Sequence, residues 1–200
     1  MSHSIDYYFT PQSPWTYLGH QRLGDIARAA GADVRVLPVD LGQVFSVSGG
    51  LPLGKRPPQR QAYRLLELAR FSQQLRLSMN IQPTYFPVAS DDASRLIIAV
   101  DQQDGAGAAM QLSGAIFAAV WAQQRDIADA AVLAAIADEC GLDTQRLAQS
   151  RSPEVQAIYD SNTQQAIGIG IFGAPTYVVD GEMFWGQDRL DFVERKLASP

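Results

Sequence analysis

The spacing of apolar residues along this chain changes period twice. Ile5-Asp6-Tyr7-Tyr8-Phe9 and Val34-Arg35-Val36-Leu37-Pro38-Val39 are short apolar runs of strand length. Between them, Leu18, Leu23 and Ile26 recur at helical spacing from Pro14 to about Ala30. Gly31 is placed to stop that helix, as glycine does just past a helix end. Pro38 cannot donate to a ladder, which puts the second strand at or near a sheet edge. The opening predicts a βαβ unit with a right-handed crossover.

From about Gly42 the pattern alters. Gly49, Gly50, Pro52, Gly54, Pro57 and Pro58 predict a long loop. Beyond it the period stays helical. Ala62, Leu65, Leu66 and Ala69 form one face, and after a Pro83 to Pro87 break a helix from Asp91 or Asp92 turns Leu96, Ile97 and Val100 inward. Ile116, Phe117, Val120 and Trp121 mark a third helix. Val132, Leu133, Ile136, Ala137 and Cys140 mark a fourth, ended by Gly141. Ser152-Pro153 opens one more, running past Ile158 and Ala166 towards Gly170. Strand patterning returns in Thr176–Val179 and Glu182–Trp185, split by Asp180-Gly181, the strongest two-residue hairpin signal, and a helix over about 188–197 closes the chain. Without the helical middle, the order is β-α-β followed by β-β-α. The expected fold is therefore α/β, thioredoxin-like, with a large all-helical insertion. Residues 1–41 and 163–200 form the discontinuous thioredoxin-like domain and 42–162 the insertion.

Composition narrows the function. At 200 residues, 46% of them hydrophobic, the chain can bury one well-formed core. A net charge of −5 without a basic, aromatic-interleaved patch makes nucleic acid an unexpected partner. No apolar run reaches transmembrane length, so no membrane association is expected. Met1 to Asp6 lacks a basic region followed by an apolar stretch, which points to the cytoplasm. Cys140 is the only cysteine and excludes an intrachain disulfide or a C-x-x-C pair. Its position on an apolar helical face reads as a core thiol. His3 and His20 have no metal-ligand spacing, so no metal site is expected.

The candidate chemistry lies at two turns. Ser13 falls between the first strand and the first helix, with Pro14 at the first helical position. Unpaired backbone N–H groups at such a turn favour negative charge, and a hydroxyl there can donate a hydrogen bond to a bound thiolate. Ser-Pro is equally an ordinary helix start, the serine capping and the proline supplying the right φ. The second turn is Ile171-Phe172-Gly173-Ala174-Pro175-Thr176, just before the hairpin. If the Ala174–Pro175 bond is cis, the backbone of Ala174 faces away from the ladder and is free to pair with a peptide-like ligand. An ordinary trans proline in a turn satisfies the same pattern.

Three local patterns carry a resemblance that spans essentially the whole chain: Ser13-Pro14-Trp15-Thr16-Tyr17, Phe172-Gly173-Ala174-Pro175-Thr176 and Phe184-Trp185-Gly186-Gln187-Asp188-Arg189-Leu190. With them the chain resembles the DsbA-like thioredoxin superfamily and, within it, the 2-hydroxychromene-2-carboxylate isomerase and kappa-class glutathione transferase family. The resemblance implies glutathione as cofactor, a small aromatic substrate and a homodimer. It implies that Ser13 stabilises the glutathione thiolate as the catalytic residue. Ala174, with Pro175, would pair with the tripeptide backbone. Gln187 and Asp188 would hold its γ-glutamyl end, Asp188 serving also as a helix-start residue, and Trp185 would wall the pocket or join the core. One departure stands out: Ser46 occupies the place of a lysine that the family usually carries, and Gly50 the place of an asparagine. Lys55 and Arg56 follow shortly and would either replace the charge or remain solvated. The expected activity is glutathione-dependent isomerisation of an aromatic or chromene carboxylate. A kappa-type transferase and a catalytically silent glutathione or small-acid binding module are the alternatives.

Overall fold

The computed structural model describes residues 3–199. Strand β1 (Ser4–Phe9) leads through Ser13 into helix α1 (Pro14–Ala30) and strand β2 (Asp33–Pro38). The end of the chain supplies strands β3 (Thr176–Val179) and β4 (Glu182–Trp185). Together they make one mixed sheet in the order β2-β1-β3-β4. β1 runs parallel to β2, with Tyr7 opposite Val36, and antiparallel to β3, with Tyr7 opposite Tyr177. β2 is the edge strand that Pro38 requires. Asp180 and Gly181, at φ 50° and 79°, form the two-residue turn between β3 and β4, since both positions need φ above zero.

Alternation along β1 sends side chains to both faces of the sheet. Ile5, Tyr7 and Phe9 join Leu23 and Ile26 of α1 in the main core, whereas Tyr8 joins Leu37, Val39, Val44, Ala166 and Ile171 on the opposite face. The main core continues without a break into helices α4 (Asp91–Asp104), α5 (Ala106–Trp121) and α6 (Ala130–Glu139), through Leu96, Ile97, Ile116, Phe117 and Leu133. Frame and insertion therefore share one hydrophobic interior. Helix α8 (Pro153–Gly168) packs on β2 from the other face, with Tyr159 donating to Asp91 and Asp40 N–H donating to Thr163 Oγ1. The expected boundaries at 41/42 and 162/163 fall inside helices.

Two expectations need correction. The segment read as irregular from Gly42 opens with helix α2 (Leu41–Ser48), which Asp40 caps by accepting from the N–H groups of Gly42 and Gln43. Its Ser, Gly and Val residues mask the helical period, and the helix ends at Gly49 with φ 76°. In helix α3 (Pro58–Leu75) the buried face is Arg64, Leu68 and Ser72, not the one through Ala62 and Leu66. Leu66 is 54% exposed because the structure covers the stripe that carries Arg64. A short helix α7 (Gln145–Gln149) also lies between α6 and α8. The chain closes with a single 3₁₀ turn at Gln187–Arg189 and helix α9 (Leu190–Leu197), slightly later than expected.

Candidate active-site cleft

A cleft of about 660 Å³ opens where the start of α1, the turn before β3, the segment from α2 to α3 and the Phe86-Pro87 loop converge. Its volume lies in the range of small-molecule sites. Ser13 lies in its wall and is almost wholly buried. The local sequence accounts for that position. Ser13 is the N-cap of α1: its hydroxyl oxygen accepts from Thr16 N–H at 3.3 Å, and its own N–H donates to Thr10 O at 3.0 Å. The hydroxyl proton is directed at Ala174 O, at 3.5 Å. That is the outer limit of a hydrogen bond, so the proton is weakly engaged and can turn to a better acceptor in the cleft. Capping uses a lone pair of the hydroxyl and leaves its proton available to another acceptor.

Ala174 also lines the cleft. The Ala174–Pro175 bond is cis, and the β3 ladder starts only at Thr176, leaving Ala174 outside it. Pro175 is held behind the wall, its carbonyl accepting from Gly186 N–H at 2.9 Å. Trp185 is 51% exposed on the cleft rim and meets Phe172 edge-on, with ring centroids 4.8 Å apart. Gly173 makes that packing feasible, because a Cβ there would lie 2.4 Å from the indole nitrogen. Gln187 and Asp188 do not line the cleft. Gln187 is buried beneath α1, its Cβ 2.8 Å from where a side chain on Gly19 would begin. Asp188 faces solvent and pairs with Arg189 at 2.6 Å.

The opposite wall holds what sequence reasoning missed. Ser46 is on the exposed side of α2, and its hydroxyl donates to Gln43 O at 2.7 Å. Phe45 faces the cleft instead, its ring filling the space beside Gly50, where a Cβ would come 2.1 Å from it. Lys55 stays outside, whereas Arg56 lines the cleft, joined by Arg60 and Arg64. Burial and the neighbouring Arg56 push the Arg64 guanidinium down to about 10, which leaves it charged at neutral pH. Burial, reinforced by Arg60, lowers Arg56 as well. The spacing of Arg60 and Arg64, four residues apart on α3, was the available signal, since such residues share one helical face; Arg56 joins them from the extended segment just before the helix.

His20 is part-buried between sheet and helices, away from the cleft. Its Nε2–H donates to Met110 O at 2.9 Å and its Nδ1 accepts from Tyr7 at 3.3 Å. Burial lowers it to about 4 despite the Met110 bond, so it is neutral at physiological pH. Cys140 is half-buried and packs against the main core. Among the described residues no helix is long and apolar enough to cross a membrane.

A serine at the tip of the first helix, set beside an alanine-proline turn in the wall of a cleft, has the arrangement of a thioredoxin-type fold without a redox cysteine pair. The family model for the DSBA-like thioredoxin domain matches residues 4–198. The chain is 30% identical to the 2-hydroxychromene-2-carboxylate isomerase of Sphingobium xenophagum, over 98% of this chain and 99% of that protein. It is 28% identical to the enzyme of the same name from Pseudomonas putida, over 96% and 93%. A solved 2-hydroxychromene-2-carboxylate isomerase superposes with a TM-score of 0.79 at 28% identity, covering 98% of this chain and 94% of the other. The chain belongs to the DsbA-like thioredoxin superfamily and, within it, to the 2-hydroxychromene-2-carboxylate isomerase family.

Proposed function

We propose that this protein is a glutathione-dependent isomerase acting on an aromatic or chromene carboxylate, with Ser13 stabilising the glutathione thiolate. The observation that carries the reading is the Ser13 hydroxyl: it lies at the N-terminus of a 17-residue helix, lines the cleft, and holds its proton only loosely on Ala174. The start of α1 has no acidic residue in its first turn to offset the positive end of the helix. Both the hydroxyl and the helix end favour a thiolate over a thiol.

Glutathione, when bound, supplies the nucleophilic sulfur that adds to the conjugated acid and leaves again. Ser13 would donate its hydroxyl proton as a hydrogen bond to that sulfur whenever it carries negative charge. Ala174, outside the ladder, would offer its backbone to the tripeptide, and Trp185 with Phe172 would close one side of the cleft against water. Asp188 would hold the γ-glutamyl ammonium beyond the cleft rim by giving up its partner Arg189, whereas Gln187, buried beneath α1, would support that turn from below rather than touch the tripeptide.

Product analysis tests the proposal. Incubation with glutathione and a 2-hydroxychromene-2-carboxylate should change the geometry of the acid and return glutathione unmodified. A stable thioether would make the protein a transferase of kappa type. Glutathione binding with no turnover of either kind would make it a binding module.

A further inference from the structure

We propose that Arg56, Arg60 and Arg64 form a carboxylate-binding wall that holds the acid group of the aromatic substrate and selects for it. The assignment rests on the isomerase reading above and deepens it.

Arg64 carries the argument. It is only 8% exposed, lines the cleft, and its Nη2 has no hydrogen-bond partner among the described residues. A buried guanidinium nitrogen without an acceptor is costly to maintain. The guanidinium lies over the Phe86 ring at 5.0 Å and the Trp121 ring at 5.8 Å, which fixes its plane but offers no acceptor. Arg56 and Arg60 add two more cations on the same wall. Arg56 Nε donates to Leu51 O at 2.8 Å, which anchors that guanidinium.

None of the three forms an ion pair among the described residues, so no carboxylate of the chain neutralises this wall. The chain as a whole is acidic, with a net charge of −5. Like charges gathered in one cleft without counter-charge repel each other, and an arriving carboxylate relieves that repulsion. The first turn of α3 has neither an acidic residue nor a side-chain cap, so nothing there competes for the anion. The planar guanidinium fork matches a carboxylate in two-point geometry, which a lysine cannot reproduce. Phe45 and Phe86, lining the same cleft, supply flat apolar faces for the ring that bears the acid.

The experiment is calorimetric titration with trans-cinnamate, cinnamamide and glutathione, on the wild type and on the variants Arg60→Gln, Arg64→Gln and Arg64→Lys. Cinnamate and its amide share shape and ring but differ in charge. The wild type should bind cinnamate at least about tenfold tighter than the amide, the effect expected of a charge-assisted, two-point contact. The preference should collapse in Arg64→Gln, return in part in Arg64→Lys, and fall in Arg60→Gln, with glutathione affinity unchanged throughout. Arg60 is exposed, so its substitution decides the matter even if Arg64→Gln fails to fold. Equal binding of acid and amide by the wild type overturns the proposal. So does a preference that survives both glutamine substitutions. If the substitutions weaken glutathione and spare cinnamate, the wall serves the tripeptide and the assignment is wrong. If the wild type fails to bind glutathione yet keeps the cinnamate preference, the cofactor reading falls and the wall stands.

Discussion

Replacing Ser13 separates its observed role as a cap from its proposed role toward a bound thiolate, because the two have different magnitudes and different readouts. Ser13→Ala removes the acceptor for Thr16 N–H, and losing such an N-cap costs about 1 kcal/mol of folding stability. The same change removes the donor proposed for the glutathione sulfur. A hydrogen bond to a charged group contributes about 1.5–3 kcal/mol, which at about 1.4 kcal/mol per pKa unit raises the bound thiol by about 1–2 units. The helix N-terminus remains and keeps a further contribution of about 0.3–1 kcal/mol. Ser13→Gly supplies the control: glycine is accepted at an N-cap at a cost of only a few tenths of a kcal/mol, yet it has no hydroxyl. Urea unfolding measures the cap, and thiolate absorbance near 240 nm, followed against pH with saturating glutathione, measures the donor. Both variants should show the raised thiol pKa and an isomerisation rate lower by about ten- to hundredfold below neutral pH. Only the alanine variant should lose appreciable stability. An unchanged thiol pKa in Ser13→Gly would refute the reasoning and reduce Ser13 to a helix cap.

Three further outcomes are expected. His20, pushed by burial from 6.5 to about 4, favours the folded state while neutral; its contribution is full above pH 6.5 and is lost as pH falls through 4, by about 3 kcal/mol. Unfolding free energies of His20→Gln should fall less steeply than those of the wild type across that window, and identical slopes would contradict the assignment. Gly173→Ala should displace Trp185 from the rim, shift the tryptophan fluorescence and weaken glutathione binding by about two- to tenfold, the range of one aromatic contact. Leu68→Ala should cost about 2–4 kcal/mol in chemical denaturation, because Leu68 is fully buried at the only apolar anchor on the covered face of α3.

The frame of the fold was readable because its signals are local. Asp180-Gly181 specifies its turn through φ alone, Gly31 ends α1 in the left-handed region at φ 62°, and Ser13-Pro14 starts that helix. Those features need no distant partner. The face of α3 was misread for the opposite reason. Periodicity assigns a charged residue to solvent, whereas Arg64 is covered by Phe86 and Trp121, which lie far along the chain and reach it only in the folded state. Helix α2 was missed because Gly42, Ser46 and Ser48 are poor helix formers, and its stability comes from the Asp40 cap and from Val44 in the second core. At the site, the strand-to-helix turn and the residues before the hairpin were legible as motifs. The arginine wall was visible only as a spacing, because its meaning depends on which side of α3 the tertiary packing covers.

The lone thiol has a practical consequence for measuring this chemistry. Burial, with Glu139 alongside, raises Cys140 above its ordinary 9.0 and keeps it protonated through the neutral range. The pH-dependent thiolate absorbance recorded there therefore reports the added tripeptide with almost no contribution from the protein's own thiol. With no second cysteine in the chain, oxidants also have no internal bridge to close.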